Sequence, residues 1–140
     1  MLPFASTQDT LLAPIEEVWA FVAAIGTEKI YIPGAIKSAL LEGSGAGALR
    51  KVTLQQGVVY ERILVHDTTT HCLVYMIEDG TLVGVKGVIG VVQLISDSGD
   101  TGISWKSYIN SQGPVDEEMR KFASNLYQGA IAGIRKLVEE

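Results

Sequence analysis

Residues 114–138 read PVDEEMRKFASNLYQGAIAGIRKLV, and the spacing in this stretch decides how the rest of the chain is read. Met119, Phe122, Leu126, Ala130, Ile134 and Leu137 recur at three- and four-residue steps, which places them on one face of a helix. Asp116, Glu117 and Glu118 fall in the first turns and Arg135 and Lys136 in the last, the order that complements a helix dipole. Gly113-Pro114 marks the start, since proline loses no needed hydrogen bond in a first turn. At about 1.5 Å per residue such a helix spans roughly 37 Å, enough to lie across a whole sheet. Gly129 and Gly133 fall beside its apolar face, where they serve either close packing or room for a ligand.

Upstream of this helix the period changes to that of strands. Ile36–Glu42, Ala48–Gln55, Val58–His66, His71–Glu78, Leu82–Ile95 and Gly102–Asn110 each read as a strand. Short turns join them, among them Gly43–Gly47, Asp67–Thr70 and Ser96–Asp100, with Asp79-Gly80 as the strongest hairpin signal. Consecutive strands on short turns make an antiparallel meander. At the front of the chain, Ala5–Leu12 reads as a further strand. Pro14–Ile25 follows as an amphipathic helix with Ile15, Val18, Trp19, Val22 and Ile25 on one face and Gly26 at its end. Glu28–Ile32 predicts a second short helical turn. The order is helix early, helix last and sheet between, so the sheet is expected to wrap the final helix and leave a cavity between them.

The bulk composition sets limits. With 140 residues, 47% of them hydrophobic and 19% charged, the chain is long and apolar enough for one domain, residues 1–140, with a sizeable core. A net charge of −5 with scattered basic residues argues against a nucleic-acid surface, which needs clustered Lys and Arg. Cys72 is the single cysteine, so neither an intrachain disulfide nor a cysteine metal cluster can form. The longest apolar stretch, Thr81–Ile95, is interrupted by Lys86 and three glycines, too short and broken to span a bilayer. No basic leader precedes the first apolar residues, and a cytoplasmic location is expected.

Few motifs carry chemistry. Gly43, Gly45 and Gly47 suggest a phosphate loop, but Leu49–Leu54 after them reads as strand, not helix, and no Lys-Ser/Thr follows. His66, His71 and Asp67 flank one hairpin turn and fall short of a convincing metal set. No nucleophile elbow is present. Glu61 stands out: in the alternation Val59, Glu61, Ile63, Val65 it puts a carboxylate in the middle of the more apolar strand face. Burial there would raise its pKa unless a cation offsets it. The plainer reading is an exposed glutamate beside Arg62. Lys37 is a lone cation in a weakly polar strand, either at a rim or in a pocket.

Four segments together resemble the START-like, birch-pollen-allergen-like superfamily, which includes small polyketide cyclase/dehydrase and lipid transport proteins. They are Ala13-Pro14-Ile15-Glu16-Glu17-Val18-Trp19; Gly43-x-Gly45-x-Gly47-x-x-Arg50; Gly57-x-x-x-Glu61-Arg62 with Asp67; and Trp105 before the long helix. The resemblance implies an α+β helix-grip fold, a curved seven-stranded antiparallel sheet around a long C-terminal helix with two short N-terminal helices. It also implies an apolar cavity that binds lipids, sterols, hormones or polyketides. Tyr31–Ser38 and Tyr60-Glu61-Arg62 resemble segments that give plant abscisic acid receptors a carboxylate-binding lysine, here Lys37, and a pocket glutamate. Phe122, Leu126 and Ala130 resemble helix positions that face the hormone. Gln55-Gln56-Gly57 stands where those receptors carry their gate loop, and Gly80–Gly84 lacks their latch, so hormone reception and phosphatase inhibition do not carry over.

The expected ligand site comprises Lys37, Val52, Leu54, Val59, Glu61, Ile63, Tyr75, Val85, Ile89, Lys106, Tyr108, Phe122, Leu126 and Ala130. Lys106 and Tyr108 are there on the resemblance alone; strand alternation instead turns Ile103, Trp105 and Ile109 inward. If the resemblance holds at this strand, those apolar residues lie outside and form a dimer patch, so a homodimer is a partner expectation beside a small hydrophobic ligand. No cofactor, metal or nucleic acid is implied. The leading function is binding or transport of a small hydrophobic molecule. One alternative is a cyclase, dehydratase or isomerase with Glu61 moving a proton and Tyr75 or Tyr108 holding an oxyanion. Another is a protein-interaction module using Leu82–Ile95 or an outer Trp105 face.

Overall fold

The computed structural model describes residues 2–82, 84–109 and 116–139. Seven strands run β1 Ala5–Leu11, β2 Ala35–Glu42, β3 Leu49–Leu54, β4 Val58–Asp67, β5 Cys72–Gly80, β6 Val88–Asp97 and β7 Asp100–Ile109. They form one antiparallel sheet in the order β1-β7-β6-β5-β4-β3-β2, so the early strands β1 and β2 end up at opposite edges. Between them in sequence lie helix α1, Ile15–Ala23, and a 3-10 turn, Glu28–Ile30. Helix α2, Glu117–Val138, closes the chain. The sheet curves around α2, the helix-grip architecture expected, with the second N-terminal helix reduced to a single 3-10 turn.

Each strand earns its place by alternation. On β3 the buried side chains are Arg50, Val52 and Leu54; on β5 they are Leu73, Tyr75 and Ile77; on β7, Thr101, Ile103, Trp105 and Ser107. These inner faces meet Ala123, Tyr127, Ala130, Ile131 and Ile134 of α2. Asp116 caps α2, its Oδ1 accepting the Glu118 N–H at 2.8 Å. The expected start at Gly113-Pro114 and the expected strand end at Asn110 lie outside the described residues. At its far end, Arg135 reaches Asp9 of β1 at 2.7 Å and ties the helix to the sheet edge.

Two expectations change. The long strand Leu82–Ile95 is instead β6 from Val88 only, with residues 81–82 and 84–87 outside any strand, while β5 runs on through Asp79-Gly80. Gly84 and Gly87 have φ of +84° and +89°, a left-handed backbone that no strand continues through. The valines on either side mask this in the sequence. On β4, a bulge between Ile63 and Val65 breaks the alternation, so Val59, Glu61 and Ile63 are buried but Val65 is 39% exposed.

Gly129 and Gly133 serve close packing, and both also line an open groove beside Ile32 and Pro33. A Cβ on Gly133 would sit 2.1 Å from the Tyr31 carbonyl oxygen, and one on Gly129 2.6 Å from Pro33 Cγ. Both face the segment that follows the 3-10 turn.

Candidate functional site

Two small voids lie between the inner sheet face and the first half of α2. The larger, about 50 Å³, is lined by Leu54, Val59, Glu61, Tyr75, Val85 and Phe122 among others. The smaller, about 30 Å³, is bounded by Arg50, Val52, Glu61, Tyr75, Trp105 and Leu126. Leu54, Val59, Glu61, Tyr75 and Leu126 are walls of both, so the voids are neighbours divided by side chains. A water needs roughly 10–15 Å³ measured this way, whereas pockets for drug-sized ligands run to about 300–1,000 Å³. In this conformation the space has room for no more than a few waters, with the rings of Tyr75, Trp105, Phe122 and Tyr127 occupying the rest.

The charged groups here are unusual for a core. Arg50, 3% exposed, donates from Nε to Glu61 Oε1 at 2.7 Å and from Nη1 to Glu28 Oε2 at 3.1 Å. Its guanidinium also lies 4.9 Å from the Tyr75 ring centre. Glu28 is 1% exposed and lines neither void; both its oxygens accept the Gly26 N–H, at 3.1 and 2.9 Å. Burial pushes the Glu61 carboxyl above the usual carboxylate range, Arg50 pulls it back by charge and hydrogen bond, and the Glu28 charge pushes it up again. The cation that would offset burial is therefore Arg50, across β3–β4, and not the sequence neighbour Arg62, which pairs with Glu42 and Glu78 on the outside.

The tyrosines form a second polar set. Trp105 donates from Nε1 to the Tyr75 hydroxyl at 3.1 Å, and Ser107 Oγ is hydrogen-bonded to the Tyr127 hydroxyl. Trp105 stacks on Tyr127 with ring centres 4.9 Å apart and planes 13° from parallel. Burial raises the pKa of both tyrosines, so they remain neutral. Gly90 makes this possible: it pairs with Tyr75 in the β5–β6 register, and a Cβ there would lie 2.1 Å from the ring.

Of the expected site residues, Val52, Leu54, Val59, Glu61, Tyr75, Val85, Phe122 and Leu126 surround the voids. Ile63 and Ala130 are fully buried in the core beyond them. The other four lie elsewhere. Lys37 is exposed on edge strand β2; it pairs with Thr53, while its neighbour Ser38 pairs with inward-facing Val52. Ile89 pairs with Tyr108 on the outer face, because the β5–β6 connection resets the alternation between Val85 and β6. Lys106 and Tyr108 line an open outer trough with Gln8, Thr10 and Gln93. Alternation was the better guide on β7: Ile103 and Trp105 are buried, which removes the outer Trp105 face and its dimer patch, and takes Tyr108 away from any oxyanion in the cavity.

The hairpin histidines hold α1. His66 Nε2 is 3.0 Å from the Ala23 carbonyl oxygen, His71 Nε2 is 2.7 Å from Glu16 Oε1, and both rings pack 5.6 Å from Trp19. Glu28 is the residue sequence reasoning missed, and Arg50 entered only as part of a glycine motif. Nothing local marks a contact that spans 22 residues.

The fold agrees with what the chain is similar to. A family model described as polyketide cyclase / dehydrase and lipid transport matches residues 5–139. The chain belongs to this family. Solved structures of the same fold include a protein from Nitrosospira multiformis, 14% identical, with a TM-score of 0.81 over 97% of this chain and 96% of that one. XoxI from Bacillus cereus is 17% identical, with a TM-score of 0.79 over 96% and 95%. Ara h 8.0201 is 21% identical, with a TM-score of 0.77 over 94% of each chain. No curated protein matches the sequence. Among the described residues, no helix is long and apolar enough to cross a membrane.

Proposed function

We propose that the protein binds a small, largely apolar molecule with one polar group in the space between β3–β5, the β5–β6 connection and the first half of α2. The observation that carries this is the pair of adjoining voids, whose shared apolar walls surround one carboxyl, Glu61, on a charged base. Apolar walls supply affinity and a few placed polar groups fix orientation. Entry would run beside Leu82, Met119 and Phe122, which are partly exposed and close the larger void. Met119 suits such a position, because its unbranched side chain repacks easily. A ligand larger than a few waters would part Leu126 and Phe122 and join the two voids.

The test is displacement of an apolar fluorescent dye by octanol, in the native protein and in Leu126→Trp. The indole would fill the shared wall of the two voids. The reading expects saturable binding in the native protein and a loss of about tenfold or more in the variant, since filling a small pocket removes most of its apolar contact. Unchanged binding in Leu126→Trp, with the fold intact by circular dichroism, would overturn it.

One observation favours a second reading, a cyclase- or dehydratase-type enzyme. A buried carboxyl held toward its protonated form beside a cavity is suited to give a proton to a substrate carbonyl. Turnover of a polyketide-like substrate that disappears in Glu61→Gln while binding persists would support it; equal turnover in that variant would exclude it.

A further inference from the structure

We propose that Glu28 sets the charge preference of the pocket: by holding Arg50 from behind, it makes the site favour neutral ligands, such as alcohols, and reject carboxylates. This rests on the binding reading above and narrows the ligand class.

The charge count carries it. Arg50 is the one cation on the wall of either void among the described residues, and two carboxylates already face it, Glu61 at 2.7 Å and Glu28 at 3.1 Å. A ligand carboxylate entering beside Glu61 would be the third acid around one guanidinium in a water-poor space, where like charges repel strongly. The lysine that would have received an acid, Lys37, is exposed on the outer edge strand. Nor can Arg50 swing out to meet an acid. Its guanidinium carbon lies over the Tyr75 ring, and Glu28, its second anchor, is itself fixed by the Gly26 N–H. Gly26 has φ +99° and a Cβ there would press on Leu40 N at 2.9 Å, so the turn that presents Glu28 is built into the backbone. Glu28 lines neither void, so it touches no ligand; it acts through Arg50 as a positioning and charge-setting residue.

A purely structural role would pin the 3-10 turn to the sheet and change all affinities together. The charge-setting role changes their ratio. Octanol and octanoate, matched in chain length, are titrated at neutral pH against the native protein and Glu28→Gln, with an apolar dye as reporter. Octanol should bind the native protein more tightly. Glu28→Gln removes one negative charge while keeping an amide oxygen for Arg50, and should shift the octanol-to-octanoate affinity ratio toward the acid by about tenfold, with octanol itself little changed. If Glu28→Gln does not fold, the native protein's own preference for octanol over octanoate decides. Octanoate binding the native protein as tightly as octanol, or a ratio unmoved in the folded variant, overturns the inference and leaves the binding reading standing. Failure of the native protein to bind either compound overturns both.

Discussion

Replacing Gly133 with alanine should destabilise the protein although it improves the intrinsic helix propensity of α2. Glycine inside a helix costs roughly 1 kcal/mol relative to alanine, so an unhindered change would stabilise by that much. Gly133 is hindered: the new Cβ would lie 2.1 Å from the Tyr31 carbonyl oxygen and 3.0 Å from Tyr31 Cα, where ordinary contact begins at 3.4 Å. The obstacle is backbone, so the helix and the segment after the 3-10 turn must separate by roughly 1 Å, an overpacking cost of about 1–3 kcal/mol. Separation also draws on the Glu28–Arg50 contact three residues upstream of Tyr31, which has only 3.1 Å to begin with. A 2.1 Å clash with backbone puts the overpacking cost in the upper part of its range, about 2–3 kcal/mol, so the net expectation is a loss of about 1–2 kcal/mol. Gly129→Ala is the control, since its Cβ meets the tip of the Pro33 ring, which can shift, and its net effect should lie within about 1 kcal/mol of zero. Urea unfolding with an unchanged m-value measures both. A Gly133→Ala protein as stable as the native one, or more so, would refute the claim that this glycine exists for close approach.

Three other outcomes follow from the same contacts. Arg50→Met leaves Glu28 and Glu61 buried without their partner and should cost about 3–5 kcal/mol, much of it recovered when both acids are also changed to Gln; chemical denaturation of the single and triple variants checks this. Because burial holds the folded Glu61 pKa above its ordinary 4.5, the folded state binds more protons than the unfolded one as pH rises from 4.5 toward that raised value, so this group's contribution declines with pH. Melting temperatures of the native protein should therefore fall relative to those of Glu61→Gln across that window, and a constant difference would contradict the shift. Asp116→Ala removes the cap on the Glu118 N–H and should cost about 1 kcal/mol in thermal or urea unfolding.

What the sequence revealed depended on whether the signal was local. Helix α2 is readable because its apolar spacing and end charges repeat over 22 residues. The inward set on β7 is readable by alternation, since one face is buried from Thr101 to Ser107, and family resemblance misplaced Lys106 and Tyr108 there. The β5–β6 connection is hidden because its valines look like strand and only the φ of Gly84 and Gly87 shows otherwise. Glu61 was visible as an acid on an apolar face, but its partners were not. Arg50 is 11 residues away and Glu28 22 from Arg50, and such pairings depend on how the strands and the 3-10 turn meet in space. The size of the cavity was equally unreadable, because it depends on the rotamers of Tyr75, Tyr127 and Trp105.

The central claim is that an apolar molecule enters between sheet and α2 and rests against Glu61. A methyl-resolved NMR titration with octanol tests it most directly. The account predicts saturable shifts at Leu54, Val59, Val85 and Leu126, with Leu40, Leu41, Ile95 and Leu137 on the surface unmoved. Shifts confined to those surface methyls, with the four pocket residues silent, would contradict it.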